Sequence, residues 1–145
     1  MHLIDQIQPT RVLDYQAAGT TDTLTSDRVN MAGYDGVLFI ASIGTVVDTG
    51  TATMVSRQAA TDISGSAHSG SSVVATTGDS DKFIAIDIKN LGDPGDQYVG
   101  VTLVRATANI VVNEIIAIQY GPRTLPVTQL NMGDTVDKLV APAEA

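Results

Sequence analysis

The chain has 145 residues, and its 8 Lys and Arg against 16 Asp and Glu give a formal net charge of −8. Nucleic-acid binding needs a surplus of cationic side chains to neutralise phosphates, so this balance argues against a nucleic-acid partner. The lack of cysteine excludes a disulfide framework, a thiolate metal site and a cysteine nucleophile. The acids are 14 Asp and two Glu, and Asp favours turns, which predicts a turn-rich β protein.

Neither a signal peptide nor a membrane span is expected from the sequence. The chain starts Met-His-Leu-Ile-Asp, with an acid where a secretory signal has a basic region. The longest apolar run, residues 37–41, is far too short to cross a bilayer. We therefore expect no membrane partner.

The first half of the chain contains three predicted strands. Residues 10–15 form a short strand that leads into a turn-rich segment. Residues 36–43 are an apolar run bounded by glycine, which predicts a buried strand. Residues 51–58 alternate more weakly, and residues 61–81, rich in Ser, Gly, Thr and Asp, are expected to be largely exposed loop.

Strict alternation of apolar and polar residues characterises the second half. Residues 82–90 and 97–105 each collect their aliphatic side chains on one face, as a strand does and a helix does not. The β-branched residues in these runs also favour extended backbone. The predicted inward rows are Ile84, Ile86 and Ile88 in the first run and Val99, Val101 and Leu103 in the second.

A further strand is predicted at residues 110–120, after a connection of four residues. Because four residues can close a hairpin and cannot make a parallel crossover, we expect an antiparallel hairpin with the preceding strand. Both of its faces are apolar, which predicts a central strand or one covered by another subunit. Its even-numbered, inward face is expected to hold Ile110, Val112, Ile116, Ile118 and Tyr120, interrupted by Glu114.

Glu114 needs a partner if it lies among these aliphatic side chains, since an unpaired buried carboxylate is costly. We expect a salt bridge to Arg105 or Arg123, or exposure at a sheet edge. The alternative is that Glu114 contacts another subunit.

About seven short strands at intervals of roughly 8–12 residues predict an all-β, single-domain antiparallel β-sandwich or jelly-roll-like barrel. We divide the domain into an N-terminal arm (1–9), a β core (10–121) and a C-terminal arm (122–145). Pro122 and Pro126 exclude a central strand in the C-terminal arm because proline lacks an amide donor. The scattered apolar residues of this arm predict that it docks onto something.

No residues form a recognisable catalytic or metal-binding motif, so we expect neither an enzyme nor a cofactor. His68 lies in a Ser/Gly loop without a nucleophile elbow and is interpreted as solvent-exposed. The aspartates at 79–81 and 93–96, with Asp87, lack EF-hand spacing and are interpreted as turn residues, with calcium left open. A carboxylate pair for glycoside hydrolysis is weak because the chain has no Trp and few aromatics.

Three stretches of the sequence resemble a known group of proteins. They are Ala117 to Val127, with the series Gln-Tyr-Gly-Pro-Arg-Thr-Leu-Pro-Val, then Leu13 to Thr21, and Met31 to Val37. Together they are similar to small β-rich proteins encoded beside the major capsid protein of tailed bacteriophages. The similarity extends over most of the chain between Leu13 and Val127.

This resemblance implies a capsid decoration, or cement, protein that binds the major capsid protein on the outer surface of the virion. It also implies a homo-oligomer, for which a trimer is our expectation. The residues that we expect to contact the capsid or a neighbouring subunit are Glu114, Tyr120, Pro122, Arg123, Leu125, Pro126 and Val127. The charge of −8 fits a solvated outer surface that keeps particles apart.

Two alternatives remain from the sequence. A head-completion or tail component of a phage would have a similar composition but far fewer copies per particle. A carbohydrate-binding module commonly uses the same sandwich, but it normally needs exposed aromatic platforms, which this chain can supply only from four Tyr and two Phe.

Overall fold

The computed structural model describes residues 1–60, 65–68, 70–89, 97–133 and 138. Within these ranges the chain is all-β and has no α-helix, as predicted. It forms two single-turn 3₁₀ helices, at Leu3–Asp5 and Thr77–Asp79, and ten strands. The strands are β1 (Ile7–Leu13), β2 (Gln16–Gly19), β3 (Asp22–Thr25), β4 (Val29–Asn30), β5 (Tyr34–Val46), β6 (Thr51–Ala59), β7 (Val73–Ala75), β8 (Phe83–Lys89), β9 (Tyr98–Ala106) and β10 (Ile110–Pro122).

The strands form two antiparallel sheets that pack face to face as a β-sandwich. Sheet A has the order β1-β10-β5-β8, and sheet B has the order β3-β9-β6-β7. Strand β2 pairs with β10 beyond the end of β1, and β4 pairs with β9 beyond the end of β3. Strands β1 and β2 therefore act together as one interrupted edge strand of sheet A, and β3 and β4 do the same in sheet B. Counted in this way, each sheet has four strands.

The connections between the sheets are those of a jelly roll. We count β1 with β2, and β3 with β4, as single strands. Each strand along the chain then lies in the sheet opposite to the one before it, except that β6 and β7 both lie in sheet B. This alternation is how a double-sheet jelly roll winds its eight strands. The predicted hairpin of β9 and β10 is therefore wrong, because β9 belongs to sheet B and β10 to sheet A. A short connection can turn a corner between sheets as readily as it closes a hairpin, and alternation within a strand does not distinguish the two.

The core lies between the sheets and is built from the inward rows of the long strands. The predicted rows of β8 and β9 are confirmed: Ile84 and Ile86 are buried, Ile88 packs against the core, and Val99, Val101 and Leu103 are fully buried. Strand β5 adds Val37, Phe39, Ala41 and Ile43. Burial of each large aliphatic side chain stabilises the fold by about 1.5–3 kcal/mol.

Arg105 joins the two sheets at one end of the sandwich. Its guanidinium is buried and forms a bidentate ion pair with Asp22 on β3, with Nε 2.7 Å from Oδ1. It also donates to the carbonyls of Ala17 (2.6 Å) and Ile110 (2.8 Å) in sheet A. The bonds from Arg105 hold the pKa of Asp22 below its usual value, and Asp22 raises the pKa of Arg105. Gly19 lies against the guanidinium, which leaves no room there for a Cβ atom.

Candidate interaction surfaces

A β-bulge in β10 decides which side chains of that strand face solvent. Val112 pairs with Ile43 and Glu114 pairs with Ser42, so Asn113 is an extra residue relative to β5. An extra residue shifts every later side chain to the opposite face. Val112 is thus buried, whereas Ile115 and Ala117 continue the inward row after the bulge.

The prediction that the even-numbered residues of β10 all point inward is therefore wrong beyond the bulge. Glu114 faces outward and forms an ion pair with Arg11 of β1, with Nε 3.2 Å from Oε2. Its partner is neither Arg105, which binds Asp22, nor Arg123, which lies in the C-terminal segment. The sequence placed Glu114 among buried aliphatics because periodicity alone does not reveal a bulge.

The outer face of sheet A is consequently apolar along its centre. We define this outer face by the residues that share it through cross-strand pairing. They are Ile7, Pro9 and Arg11 of β1, Glu114, Ile116, Ile118 and Tyr120 of β10, Gly36, Leu38, Ile40 and Ser42 of β5, and Phe83, Ala85, Asp87 and Lys89 of β8. Leu38, Ile40, Ile116 and Ile118 are half-buried by neighbouring strands. Strand β10 lies between β1 and β5 and is therefore a central strand, as one of the two predictions for it stated. Its outer side is also apolar.

Tyr120 closes one end of this outer face. Its ring lies across Gly36 of β5, where a Cβ atom would overlap it. The hydroxyl donates to Asp87 Oδ1 of β8 at 2.6 Å, so one side chain spans three strands. Burial, followed by the bond to Asp87, raises the pKa of Tyr120 to about 12. The phenol therefore stays neutral and rigidly placed across the physiological range.

A second surface is built from the two ends of the described chain. We call residues 123–132 the strap, because they return along the N-terminal segment. The amide of Val127 donates to the Asp5 carbonyl at 2.8 Å. Gln129 Nε2 donates to the carbonyls of Ile4 (2.7 Å) and Ile7 (2.8 Å). The predicted docking of the C-terminal arm thus includes contacts with the chain's own N-terminus.

Charged and polar side chains extend this attachment. Asn131 Nδ2 donates to Thr10 Oγ1 at 2.8 Å, and Lys138 forms an ion pair with Asp5. The hydrogen bond from Lys138 lowers the pKa of Asp5. Arg123 is exposed, and its amide donates to the Gly33 carbonyl at 2.9 Å.

The strap and the N-terminal turn expose large apolar side chains. Among the described residues, ten large apolar side chains are exposed, and five of them lie in these two segments: Met1, Leu3, Leu125, Leu130 and Met132. Leu130 is 77% exposed and Leu125 is 47% exposed. Isolated exposed apolar residues are ordinary on protein surfaces, whereas several in two adjoining segments are typical of a contact surface.

The predicted contact residues divide between these two surfaces. Glu114 and Tyr120 lie on the outer face of sheet A, and Pro122 ends β10 opposite Tyr34. Arg123, Leu125 and Pro126 are exposed in the strap, whereas Val127 of the same segment is half-buried. The other apolar residues of the outer face were not among the predicted contacts, because alternation alone reveals neither the bulge in β10 nor which strands lie beside it.

His68 does not lie in solvent, contrary to the sequence interpretation. Residues 65–68 run beside β6, through a bridge between Arg57 and Ala67. The His68 ring is half-buried, with Nδ1 2.9 Å from Ser56 Oγ and Nε2 2.6 Å from Gln58 Oε1. An amide oxygen only accepts, so Nε2 carries the proton and Nδ1 accepts from the serine hydroxyl. Burial lowers the pKa of His68, which favours this neutral form.

This Ser-His-Gln cluster differs from a Ser-His-Asp triad in two respects. Ser56 is fully buried in the middle of β6, although it lines a shallow cavity of about 330 Å³ beside Ile86 and Ile88. The other ring nitrogen of His68 binds the amide oxygen of Gln58, where a Ser-His-Asp triad has a carboxylate. The cluster holds residues 65–68 against sheet B.

The aspartates considered for calcium have separate local roles where they are described. Asp79 accepts from the Thr76 amide at 2.9 Å and caps the second 3₁₀ turn, as the turn interpretation predicts. Asp87 holds Tyr120. Residues 93–96 lie outside the described ranges. Across the described residues, no three His, Asp or Glu side chains come close enough to hold one metal ion.

Comparison with known proteins gives little information about the role of these surfaces. No family model and no curated protein matches the chain. A solved structure described as "Bacillus endospore appendages form a novel family of disulfide-linked pili" aligns with a TM-score of 0.48 and 15% identity, over 79% of this chain and 88% of that one. A likeness of this size says nothing about what the chain binds. No helix in the described residues is long and apolar enough to span a membrane.

Proposed function

We propose that this chain is a structural virion protein, a capsid decoration (cement) protein that binds the outer surface of a tailed-phage major capsid shell and stabilises it. The observation that carries the proposal is the strap, whose exposed leucines are held outward by hydrogen bonds to Ile4, Asp5 and Ile7. The resemblance of residues 117–127, which include the first half of the strap, and of two other stretches to proteins encoded beside capsid genes supports the same assignment.

The strap has the physical properties of a docking element. Its backbone is already ordered along the N-terminal segment, so binding would cost less conformational entropy than ordering a free tail. Leu125 and Leu130 offer apolar area that a partner could bury. On a symmetric shell the same small contact repeats many times, so modest affinity at each site stabilises the whole particle.

The charge of the molecule is compatible with an outward position. Fourteen of the 16 acidic residues behind the net charge of −8 are aspartates, a residue type that favours turns. A solvated anionic surface keeps large particles from associating. It would be unfavourable on an inner surface that faces packaged nucleic acid.

The first test is the abundance of the chain in purified virions of the phage that encodes it. A decoration protein is expected in roughly hundreds of copies, whereas a head-completion or tail ring holds about a dozen or fewer by its symmetry. Quantitative mass spectrometry against the major capsid protein measures this ratio. Absence from the particle would overturn the proposal, and a dozen copies would favour the head-completion or tail alternative.

The second test measures binding of the purified chain to emptied, expanded capsids of the same phage. Leu125→Ser with Leu130→Ser is expected to weaken binding by about tenfold or more, since both leucines lose their buried area. Val104→Ser is the matched control, because Val104 is also exposed but lies on sheet B. Equal binding by all three proteins would show that the strap does not make the contact.

The carbohydrate-binding alternative depends on exposed aromatic side chains. Tyr15 and Phe83 are the exposed aromatics of the described residues, at 62% and 71%. They lie at opposite edges of sheet A, beside β1 and on β8, so they do not form one platform. A glycan array that shows selective binding would favour this alternative over the capsid.

A further inference from the structure

The outer face of sheet A has an apolar centre that its own chain leaves uncovered in the described residues. Ile116 and Ile118 of β10 lie beside Ile40 and Leu38 of β5 in two consecutive cross-strand rows. Pro9 of β1 and Ala85 of β8 extend these rows toward the edges. A twisted sheet with such a face packs well against another sheet at a separation of about 10 Å.

We propose that this face binds the same face of a second copy of the chain, in a two-fold symmetric, face-to-face dimer. The rotation axis lies in the interface, parallel to the strands, between β10 and β5. It places β10 of each copy over β5 of the other and keeps the rows aligned. Ile116 then lies over Ile40 of the second copy, and Ile118 lies over Leu38 of the second copy.

One pair of opposite charges at the edges of the face matches the same rotation. Arg11 lies on β1 at one edge, and Asp87 lies on β8 at the opposite edge. The rotation brings β1 of one copy over β8 of the other. Arg11 then faces Ala85 of the second copy, with Asp87 in the next row and within reach of the long arginine side chain. This contact between Arg11 and Asp87 occurs twice, so these two charges are complementary across the interface, and Arg11 also keeps its pair with Glu114 of its own chain.

The size of the face indicates a weak dimer. Four strands about 4.8 Å apart and four rows about 6.8 Å apart give roughly 500 Å² in projection. Two such faces bury roughly 1,000 Å² in total, at the lower limit for a specific interface. We therefore expect dissociation in the micromolar range, so that dimers form when the chain is concentrated.

Sedimentation velocity of the full chain from about 1 to 200 μM tests the proposal, because this range brackets micromolar dissociation. We expect a shift from monomer to dimer. Ile116→Glu is expected to weaken the dimer by at least about tenfold, since it places a charge in the apolar centre. Val104→Glu, on the outer face of sheet B, is the matched control and is expected to dimerise normally. Circular dichroism confirms that both variants fold.

A charge exchange tests the geometry of the dimer. Arg11→Asp and Asp87→Arg are each expected to weaken self-association, because each brings like charges together twice. An equimolar mixture of the two variants is expected to associate, since both contacts then pair Asp with Arg. Failure of the mixture to associate more strongly than either variant alone would exclude this axis.

Other occupants of the face would give different results. A full chain that stays monomeric over the whole range would overturn the proposal, and a trimer would overturn the two-fold arrangement. Dimerisation only after deletion of residues 134–145 would assign the face to the chain's own C-terminus. Capsid binding is measured separately through the strap variants, so failure of the dimer leaves the proposed capsid function standing.

Discussion

The two sheets share one core but differ on their outer faces. The outer face of sheet A carries isoleucine and leucine along β10 and β5. The corresponding positions of sheet B are more polar and include five threonines, Thr23, Thr25, Thr51, Thr53 and Thr102, which face outward on β3, β6 and β9. Valines on sheet B, such as Val104, are separated by these threonines.

This difference is informative because both sets of residues suit a strand. Thr and Ile are both branched at Cβ and stabilise extended backbone to a similar degree. Threonine adds a hydroxyl that water can bind, and isoleucine does not. The fold therefore does not require isoleucine on the outside of sheet A. A partner that covers this face would favour isoleucine there, because an apolar side chain gains free energy when it is buried.

The largest expected effect is the loss of stability when the bridge that Arg105 makes between the two sheets is removed. Arg105→Ala removes the bonds to Asp22, Ala17 and Ile110, and it leaves these buried or partly buried groups unpaired. We expect a loss of about 3 kcal/mol in the free energy of unfolding, measured by urea titration. The exposed pair of Arg11 and Glu114 is the control, and Arg11→Ala is expected to cost about 0–1 kcal/mol. Similar losses in both variants would contradict a special role for Arg105.

Removal of the strap tests whether sheet A needs it. A chain shortened after Gly121 loses the bonds of Gln129 and Val127 to the N-terminal segment, and we expect it to lose about 1–3 kcal/mol of stability. The β core should stay folded by far-UV circular dichroism, whereas binding to expanded capsids should be abolished. Loss of the fold itself would show that the strap belongs to the core.

Making sheet A resemble sheet B sharpens the comparison. Ile116→Thr and Leu38→Thr keep or gain branching at Cβ and add hydroxyl groups to the outer face. We expect each to change the free energy of unfolding by less than about 1 kcal/mol, while the double variant weakens the dimer by at least about tenfold. Urea titration and sedimentation velocity measure the two effects. A large loss of stability without a change in association would assign these residues to the fold alone.

The smallest expected effect is a pH dependence in sheet B. Burial lowers the pKa of His68 from its ordinary 6.5, so the unfolded chain binds a proton first as the pH falls. The contribution of His68 to stability is complete above pH 6.5 and is lost as the pH falls toward its lower folded value. His68→Gln should remove this slope, as measured by thermal unfolding between pH 7 and 5, whereas His2→Gln should not.

Particular residues show how far the sequence predicted this structure. The rows of β8 and β9 were predicted correctly because each depends only on alternation within its own strand. Glu114 was placed on the wrong face because the bulge at Asn113 comes from pairing with β5, which is distant in sequence. His68 was placed in solvent because it lies in a Ser/Gly-rich segment, and its partners Ser56 and Gln58 are brought to it only by the path of the chain beside β6.

Some features of the candidate interaction surfaces were predicted from the sequence, and others were not. The proline-containing strap was predicted to dock, and Leu125 was among the predicted contacts, whereas Leu130 was not. Its attachment to Asp5 and Ile7 could not be predicted, because a return of the chain over more than a hundred residues leaves no local pattern. The apolar outer face of sheet A was indicated only by the two apolar sides of β10.

The sequence by itself determined an all-β domain, most of its long strands and the inward rows of β8 and β9. These features follow from the two-residue period of a strand and from the preferences of β-branched side chains, both of which are local. The tertiary structure alone decided the jelly-roll order, the bulge in β10 and the bridge of Arg105 between sheets. Each of these depends on which distant strand lies alongside, and that choice is made by burial and hydrogen bonding across the whole fold.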